Sequence, residues 1–524
     1  MTTQFVPFGE FAPDRAYYSN PQAGTAGFTH IATNVVPASS IVSNGFAQTT
    51  YGPFPGLVDY SSALDATCQG AFSYVDSTGS GHVYAGDAHD LYELTQASPS
   101  WSKVSSTVGV YNTSADIDWS FTNFSDTIIA TNFNDPVQAL SIGSSTKFAT
   151  LSSAAPKAKY AAVVKDFLVL GYTEDSTSGT RPQRVWWSAI GEPANWPTPG
   201  SITATEFQSD FNEVPGDQGV LTGIIPNLGK WDAILFFERA IWGMSYVGAP
   251  DIFSFYPIAV RGTSAPLSIV QIDGMCFFLG ENGWFSFDGA TVTPIGYDRV
   301  DRYFFSDFSR AFTDRTCGVA DPLTHNIYWA YCSTGNSSGY PNKLIIYNYA
   351  LDKWSTAQIS VQYLFRSLTF GKSLEGIGAI YSTLESVPYS LDSPVWAGGQ
   401  YVLGGFDLTN TMGYLNGTPL LPLIETPQFL IGDGVNTSTD TRSIITVARP
   451  AYDGAGCNPA IAIAASDVLS SPLTLGIAVP ANAIGACPQR VGGRYFTAHL
   501  SLTAPGNFTH LTGVEVEMVP AGRR

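Results

Sequence analysis

The chain has 524 residues, of which 13% are aromatic and only 13% are charged, with a formal net charge of −18. This length exceeds one ordinary domain unless the chain forms a large closed or repeated β architecture, which the 51 glycines and 33 prolines favour over helices. The aromatic content excludes a disordered chain, and the negative charge argues against wrapping nucleic acid by phosphate neutralisation.

The first 60 residues are irregular and rich in proline, glycine and aromatic residues. They predict an extended N-terminal arm, which needs a partner surface to be ordered. The N-terminus lacks a basic stretch followed by an apolar stretch, and no run approaches the ~18 apolar residues that span a bilayer. We therefore expect a soluble protein made in the cytosol, without a membrane anchor.

Residues 61–417 contain repeated apolar alternation around turn signals. In the clearest segment, Ser268–Gly296, four short strands are predicted, with Asn282-Gly283 and Asp288-Gly289 as two-residue turns of positive φ. A four-stranded antiparallel meander is the blade of a β-propeller, so we predict an all-β propeller with inserted loops, seven blades being favoured and six or eight left open. The seven units are His82–Leu94, Thr127–Ile142, Tyr160–Ser188, Ala233–Val247, Met275–Gly296, Asn326–Trp354 and Gln400–Leu415.

Residues 418–524 differ in composition from the preceding part, because they contain no tryptophan and small residues dominate. Short apolar runs such as Ser443–Val447 and Tyr495–Leu502 predict strands of an additional C-terminal β domain. The six cysteines are sparse and form no Cys-x-x-Cys pair. Cys457 and Cys487 could pair, but free thiols are the favoured interpretation.

Signatures of chemistry are few. There is no Gly-x-Ser-x-Gly elbow, no phosphate-binding loop and no His/Cys cluster with metal spacing, so we predict neither an enzyme nor a cofactor or metal site. His82 and His89 bracket one hairpin and could meet across it as ligands. Ordinary turn or surface roles are favoured for both.

One insertion holds four carboxylates within a dozen residues: Glu206, Asp210, Glu213 and Asp217. Paired carboxylates could perform acid/base hydrolysis, or with Asn212 bind calcium through oxygen ligands. The spacing fits no EF-hand loop, so a solvated acidic loop is the favoured interpretation.

Several tryptophans invite a sugar-stacking interpretation. Most of them lie inside apolar strand patterns, where packing between sheets needs large flat side chains, so a core role is favoured. The set comprises Trp186, Trp187, Trp196, Trp231, Trp242 and Trp284.

Five stretches together resemble the tail nozzle proteins of short-tailed bacteriophages, also called tail-hub or packaged-DNA stabilisation proteins. The likeness spans roughly residues 50–524 and rests on the texture of segments rather than on a catalytic signature. The stretches are PFPGLVDYSSAL (Pro53–Leu64), IATNFNDPVQAL (Ile129–Leu140), APKAKYAAVVKDFLVLG (Ala155–Gly171), RVWWSAIGEPANW (Arg184–Trp196) and the end of the chain (Gly493–Gly522).

The resemblance implies a propeller with added β domains, assembled into a ring of typically six subunits below the portal and its adaptor. Tail fibre, needle or plug proteins are further implied partners. The ring would retain packaged DNA and let double-stranded DNA pass without specific binding on ejection. It implies a location in the virion tail after assembly in the host bacterial cytoplasm, and no active-site residues.

Two functional hypotheses follow. The first is a structural virion ring whose gating loops are Thr173–Gln183 and Thr198–Asp217, with Asp175 and the four carboxylates of the insertion as candidate lumen residues. The second is a carbohydrate-binding or glycan-hydrolysing propeller tail protein that uses exposed tryptophans near the insertions.

Overall fold

The computed structural model describes residues 2–16, 27–41, 47–95, 99–369, 400–430, 442–468, 474–504 and 506–522, with a few isolated positions between 377 and 391. The described chain is almost entirely β-structure, and most of its strands belong to small antiparallel sheets. The predicted all-β propeller fold is confirmed.

In the part of the chain that the structure describes, seven four-stranded antiparallel units follow one another, and each is named here by its order. Six of them are separate sheets, and unit 6 is the beginning of an eleven-stranded sheet. The strands are Ala71–Val75, Gly81–Gly86, Leu91–Leu94 and Trp101–Lys103 in unit 1; Ser120–Phe124, Thr127–Thr131, Gln138–Ser141 and Ala149–Thr150 in unit 2; Lys157–Val164, Phe167–Asp175, Gly179–Trp187 and Asp210–Glu213 in unit 3; Leu221–Leu228, Trp231–Phe237, Ile241–Gly248 and Ile252–Ala259 in unit 4; Val270–Ile272, Met275–Gly280, Gly283–Phe287 and Val292–Pro294 in unit 5; Cys317–Asp321, Asn326–Tyr331, Lys343–Asn348 and Lys353–Ala357 in unit 6; and Tyr363–Leu368, Tyr401–Phe406, Thr411–Pro419 and Pro55–Ala63 in unit 7.

The first strands of the units lie side by side around a common axis. The first strand of unit 7 packs against that of unit 1, which closes the ring. Unit 7 is completed from the opposite end of the chain, because Pro55–Ala63 pairs with Thr411–Pro419. The count of seven equivalent blades stays a prediction, since unit 6 continues into a larger sheet.

The turns of unit 5 differ from the predicted ones. Gly280 pairs with Gly283, so the loop is Glu281-Asn282, and no positive φ occurs there. Gly283 is instead a strand residue that must be small, because a Cβ would lie 2.5 Å from Oδ2 of Asp301. The positive-φ pair is Asp273-Gly274, with φ of 49° and 74°.

The second predicted turn of unit 5 is also longer than expected. Phe287 pairs with Val292, which leaves a four-residue loop that begins at Asp288. Oδ1 of Asp288 accepts hydrogen bonds from the backbone N–H groups of Ala290 and Thr291, at 2.8 and 2.7 Å. A side-chain acceptor therefore organises this turn, with positive φ only at Gly289.

The N-terminal and C-terminal segments form one β body rather than an arm and a separate domain. A six-stranded sheet contains strands from both ends of the chain: Thr2–Pro7, Val35–Ile41, Ala47–Pro53, Arg442–Ala455, Cys487–Gly493 and Asn507–Gly522. The eleven-stranded sheet adds to unit 6 the strands Ala32–Thr33, Leu423–Glu425, Phe429–Leu430, Pro459–Ser466, Thr474–Leu475, Val479–Pro480 and Tyr495–Leu502. The short strands Glu10–Phe11 and Phe28–Thr29 pair in parallel.

This pairing differs from the predicted division into residues 1–60, 61–417 and 418–524. The described part of the arm pairs with its own C-terminal region, and both predicted boundaries fall inside strands of unit 7. The reason is physical: the edge of strand Asn507–Gly522 needs partners, and Thr2–Pro7 supplies them along six consecutive residue pairs.

The β body joins the propeller through unit 6. Strand Ala32–Thr33 lies between Lys353–Ala357 and Leu423–Glu425, so one sheet crosses from propeller to β body. Thr356 Oγ1 donates to the carbonyl of Ala32 at 3.0 Å, and Ser355 Oγ donates to that of Val35 at 2.7 Å. One hydrophobic cluster is shared across the junction, and it includes Phe8, Tyr51, Trp284, Trp354 and Leu500.

The helices in the described ranges are short connectors. They include the α-helices Ile202–Glu206 and Asp301–Asp307 and the 3₁₀ turns Pro266–Ser268 and Arg310–Arg315. Among the helices of the described ranges, none has the length and apolar character needed to cross a bilayer. All six cysteines are free thiols, as predicted, and all are buried.

Candidate functional site

The insertion predicted as an acidic loop is largely regular structure. Ser201 caps helix Ile202–Glu206 by accepting a hydrogen bond from the backbone N–H of Ala204 at 3.1 Å. The next segment, Asp210–Glu213, is the fourth strand of unit 3 and pairs with the strand that ends at Trp187. The acidic stretch therefore completes a sheet.

The four carboxylates of this insertion do not converge on one point. Glu206 and Asp210 are exposed. Glu213 faces Arg181 at 3.6 Å, and the fully exposed Asp217 pairs with Arg239 at 2.6 Å. Within the described ranges no three His, Cys, Asp or Glu side chains are grouped as metal ligands, so the calcium hypothesis has no geometric support.

Asp175 has a structural role that sequence analysis did not foresee. The segment Thr173–Gln183 is a β-hairpin rather than a loop, and Asp175 accepts hydrogen bonds from the backbone N–H groups of Thr177 and Ser178, each at 2.7 Å. Its carboxylate also pairs with Arg184, whose side chain is 1% exposed. Burial alone would raise the pKa of Asp175, but the bonds from Ser178 and Arg184 lower it below its ordinary value.

The histidine and tryptophan candidates have local structural partners. His82 contacts Glu93 at 2.8 Å and Asp76 at 3.3 Å, whereas His89 contacts the backbone carbonyl of Tyr111, so the two imidazoles do not share a partner. The hydrogen bond to Glu93 raises the pKa of His82. The predicted core role is confirmed for the buried tryptophans Trp186, Trp187, Trp196 and Trp284, while Trp231 and Trp242 are half-buried.

A group of charged side chains without an assigned role lies on the propeller axis, between the first strands of the units. Two cavities, of about 300 and 250 Å³, lie there side by side. They are named here the outer and the inner axial cavity, in that order. The wall that both cavities share consists of Asp118, Leu267, Asp314 and Tyr363.

The charged residues of these cavities come from segments that lead into the first strands of the units. Asp118 precedes the first strand of unit 2 and is held by its neighbour Trp119, whose indole donates to the carbonyl of Asp87 at 2.8 Å. Asp314 and Arg315 end the 3₁₀ turn before unit 6, and Lys159 lies on the first strand of unit 3. The ring arrangement brings these distant positions to one place.

These charges are half-buried and influence one another's pKa values. Desolvation and the nearby Asp314 raise the pKa of Asp118 to about 7. Desolvation also raises the pKa of Asp314 and lowers that of Lys159. Across the described ranges no ion pair within 4.0 Å joins these carboxylates to Lys159 or Arg315. The arrangement therefore holds opposite charges apart around open space.

The two cations are kept in place by aromatic rings. The Lys159 ammonium lies 5.8 Å from the ring centre of Tyr160 and 5.9 Å from that of Tyr172. Arg315 lies 5.3 Å from the ring centre of Tyr340 and donates to the carbonyl of Gly339 at 2.7 Å. Sequence analysis missed this cluster because its members are far apart along the chain and share no spacing pattern.

No family model and no curated protein sequence matches the chain. Among solved structures, the computationally designed protein Ika8 aligns with a TM-score of 0.35 at 7% identity, over 74% of this chain and 99% of its own. An exo-β-1,3-galactanase from Phanerochaete chrysosporium, solved with galactose, aligns with a TM-score of 0.27 at 10% identity, over 84% of this chain and 100% of its own. Scores this low carry no argument about function.

Proposed function

We propose that the chain is a structural subunit of the tail nozzle of a short-tailed bacteriophage. The observation that carries the proposal is the sheet that runs without a break from unit 6 of the propeller into the β body built from both chain ends. A propeller with firmly attached extra β-structure is the architecture that the resemblance implies. The proposed location is the virion tail, after assembly in the host cytoplasm.

The segments that carry the resemblance contain strands of this architecture. Pro53–Leu64 contains the strand that completes unit 7, and Ala155–Gly171 spans the first hairpin of unit 3. Trp186 and Trp187 lie in the third strand of unit 3, and Phe496 lies in the core of the β body. The likeness therefore concerns residues that determine the fold, which supports a common architecture.

The side chains on the propeller axis decide where the proposed DNA channel can lie. The axial cavities are small and are divided by the shared wall of side chains, so a duplex has no room inside one propeller. The proposed lumen lies instead between subunits of a ring, with six as the implied number. An acidic, lysine-poor chain suits such a wall, because it attracts the phosphate backbone only weakly.

The oligomeric state tests this proposal. Purified full-length chain is measured by mass photometry and negative-stain imaging, alone and mixed with a portal–adaptor complex. The expected result is a ring, most simply of six subunits, that binds the adaptor end of the complex and has no hydrolytic activity of its own. A chain that stays monomeric in both samples and does not bind the complex contradicts the proposal.

The hairpin Thr173–Gln183 and the segment Thr198–Asp217 remain the proposed gating elements. Both belong to unit 3, and they carry Asp175, Glu206, Asp210, Glu213 and Asp217. A particle assembled with helix Ile202–Glu206 replaced by a short glycine-serine linker is expected to lose DNA early or to release it slowly. Unchanged retention and release exclude this helix as a gate.

The alternative is a glycan-binding or glycan-hydrolysing tail propeller. The tryptophans suggested for sugar binding are mostly unable to serve it. Four of the six tryptophans are core residues. The indole of the half-buried Trp231 donates to the carbonyl of Gly289 at 2.7 Å, and its ring packs 4.7 Å from the Lys230 ammonium. A glycan array and polysaccharide hydrolysis assays that both give no signal would remove this alternative.

A further inference from the structure

The axial cavities contain charged groups that the proposed structural role does not use. Asp118 and Asp314 stand in the wall between the two cavities, and Lys159 lines the inner one. The structural role of the chain would be served equally by an apolar plug at this place, since replacing buried charges by apolar residues is often neutral or stabilising. The retained charges therefore point to a ligand.

We infer that the paired axial cavities form a binding site for a small neutral polyhydroxylated ligand of monosaccharide size. Asp118 and Asp314 would accept hydrogen bonds from its hydroxyl groups, and Lys159 would donate to them. This site lies elsewhere than the tryptophans considered above, and it does not depend on ring assembly.

The first argument is the lack of hydrogen-bond partners. Within the described ranges, the carboxylates of Asp118 and Asp314 accept no hydrogen bond from another residue, and the ammonium of Lys159 forms neither a hydrogen bond nor an ion pair. All three side chains are half-buried, and their polar atoms are not sealed from the cavities. They are therefore free to hydrogen-bond a ligand that enters the cavities.

The second argument is charge balance. Asp116, Asp118 and Asp314 line the cavities together with Lys159 and Arg315, so the excess is a single negative charge, which disappears when Asp118 is protonated. A free cation or anion would be attracted by one set of charges and repelled by the other. A hydroxyl group can both donate to a carboxylate and accept from an ammonium or guanidinium. The pKa of Asp118, raised to about 7, also lets this carboxyl act as donor or acceptor near neutral pH.

The third argument is the shape and lining of the cavities. The inner cavity has aromatic walls from Phe72, Phe121 and Tyr160, and the rings of Phe72 and Phe121 are nearly parallel. Such faces pack on the C–H surface of a sugar ring. The outer cavity is lined by polar Thr67, where the hydroxyl contacts that of Tyr340 at 2.9 Å. An apolar wall with a few convergent polar groups is typical of small-molecule sites.

Saturation-transfer NMR with free monosaccharides tests the inference. Glucose, galactose, mannose and N-acetylglucosamine are each added at millimolar concentration to the full chain, with spermidine and inorganic phosphate as cationic and anionic probes. The expected result is binding of at least one sugar. Asp118→Asn and Asp314→Asn are expected to weaken that binding at least tenfold, since a neutral amide replaces a carboxylate acceptor.

The matched control is Asp217→Asn, a change of the same size at a fully exposed position outside the cavities. It is expected to leave sugar binding unchanged, and thermal melting confirms that all variants are folded. Binding of no sugar overturns the inference. Equal sugar binding by the axial variants and the wild type also overturns it. Displacement of the sugar by spermidine or phosphate overturns it as well.

Discussion

At the scale of single residues, Asp175 shows how a carboxylate can serve the fold rather than a surface function. It closes a hairpin turn through two backbone N–H groups and neutralises the buried Arg184. Arg184 Nε also donates to Thr173 Oγ1 at 2.6 Å, and its guanidinium lies 4.9 Å from the ring centre of Trp186. Removing the carboxylate leaves a buried cation without its counter-charge.

Asp175→Ala is therefore expected to lower the free energy of unfolding by about 3–5 kcal/mol, the usual cost of breaking a buried ion pair. Asp175→Asn keeps an acceptor for the turn and should cost less. Glu213→Ala, which removes an exposed partner of Arg181, is the control and should cost below about 1 kcal/mol. Urea denaturation measures all three, and equal effects of Asp175→Ala and Glu213→Ala would contradict this role.

Asp118 makes stability depend on pH. Its pKa is about 7 in the folded chain, because burial and Asp314 oppose ionisation, and about 3.9 in an unfolded chain. Between these values the folded state holds a proton that the unfolded state has lost. This residue therefore lowers the free energy of unfolding as pH rises from about 4 to about 7.

Asp118→Asn removes this dependence. Between pH 4 and pH 8, the free energy of unfolding of the variant should rise by about 1–3 kcal/mol relative to that of the wild type. Urea denaturation of both proteins at the two pH values measures the change. A difference between variant and wild type that is the same at both pH values contradicts the assignment.

At the scale of elements, aspartates at strand ends organise several hairpins. Asp76 Oδ1 accepts from the backbone N–H groups of Thr78 and Ser80, and Asp407 Oδ1 accepts from those of Thr409 and Thr411. Asp175 and Asp288 form similar turns in units 3 and 5. Asp175 and Asp407 lie at the turn between the second and third strands of their units, Asp76 between the first and second, and Asp288 between the third and fourth, so this aspartate has no fixed place in the unit.

A substitution in unit 7 tests the strand pairing that completes the ring. A Cβ at Gly413 would lie 2.4 Å from the backbone oxygen of Val58, so Gly413→Ala must push Pro55–Ala63 away from Thr411–Pro419. The expected loss is about 1–3 kcal/mol of unfolding free energy, as for overpacked sites. Gly492→Ala is the control, because its nearest neighbour would be 3.4 Å away. Denaturant titration should show that Gly413→Ala is destabilised and that Gly492→Ala is not.

At the scale of the whole molecule, the shared sheet should couple the propeller and the β body. A chain of this length ordinarily unfolds in steps. Here strand Ala32–Thr33 bonds to both parts, and one core cluster crosses between them. We therefore expect a single calorimetric transition for the wild type.

Thr33→Pro removes a strand N–H and should separate that transition into two, because proline disrupts pairing within a sheet. Differential scanning calorimetry of both proteins measures the change. Two well-separated transitions in the wild type would show that the propeller and the β body unfold independently, contrary to this prediction.

The sequence by itself determined what depends on local pattern. Alternation and turn residues predicted the all-β class and the meander units, apolar strand patterns predicted the buried tryptophans, and the sparse cysteines predicted free thiols. These properties arise within one strand or hairpin, where neighbours along the chain are also neighbours in space.

Tertiary structure alone decided which distant segments meet. Thr2–Pro7 pairs with Asn507–Gly522, and Asp118, Lys159 and Asp314 gather on the propeller axis. Pairing between remote strands depends on edges that are exposed only once the sheets exist, and clustering around an axis depends on ring closure. No local pattern encodes either, so the β body and the axial site could be found only in the folded chain.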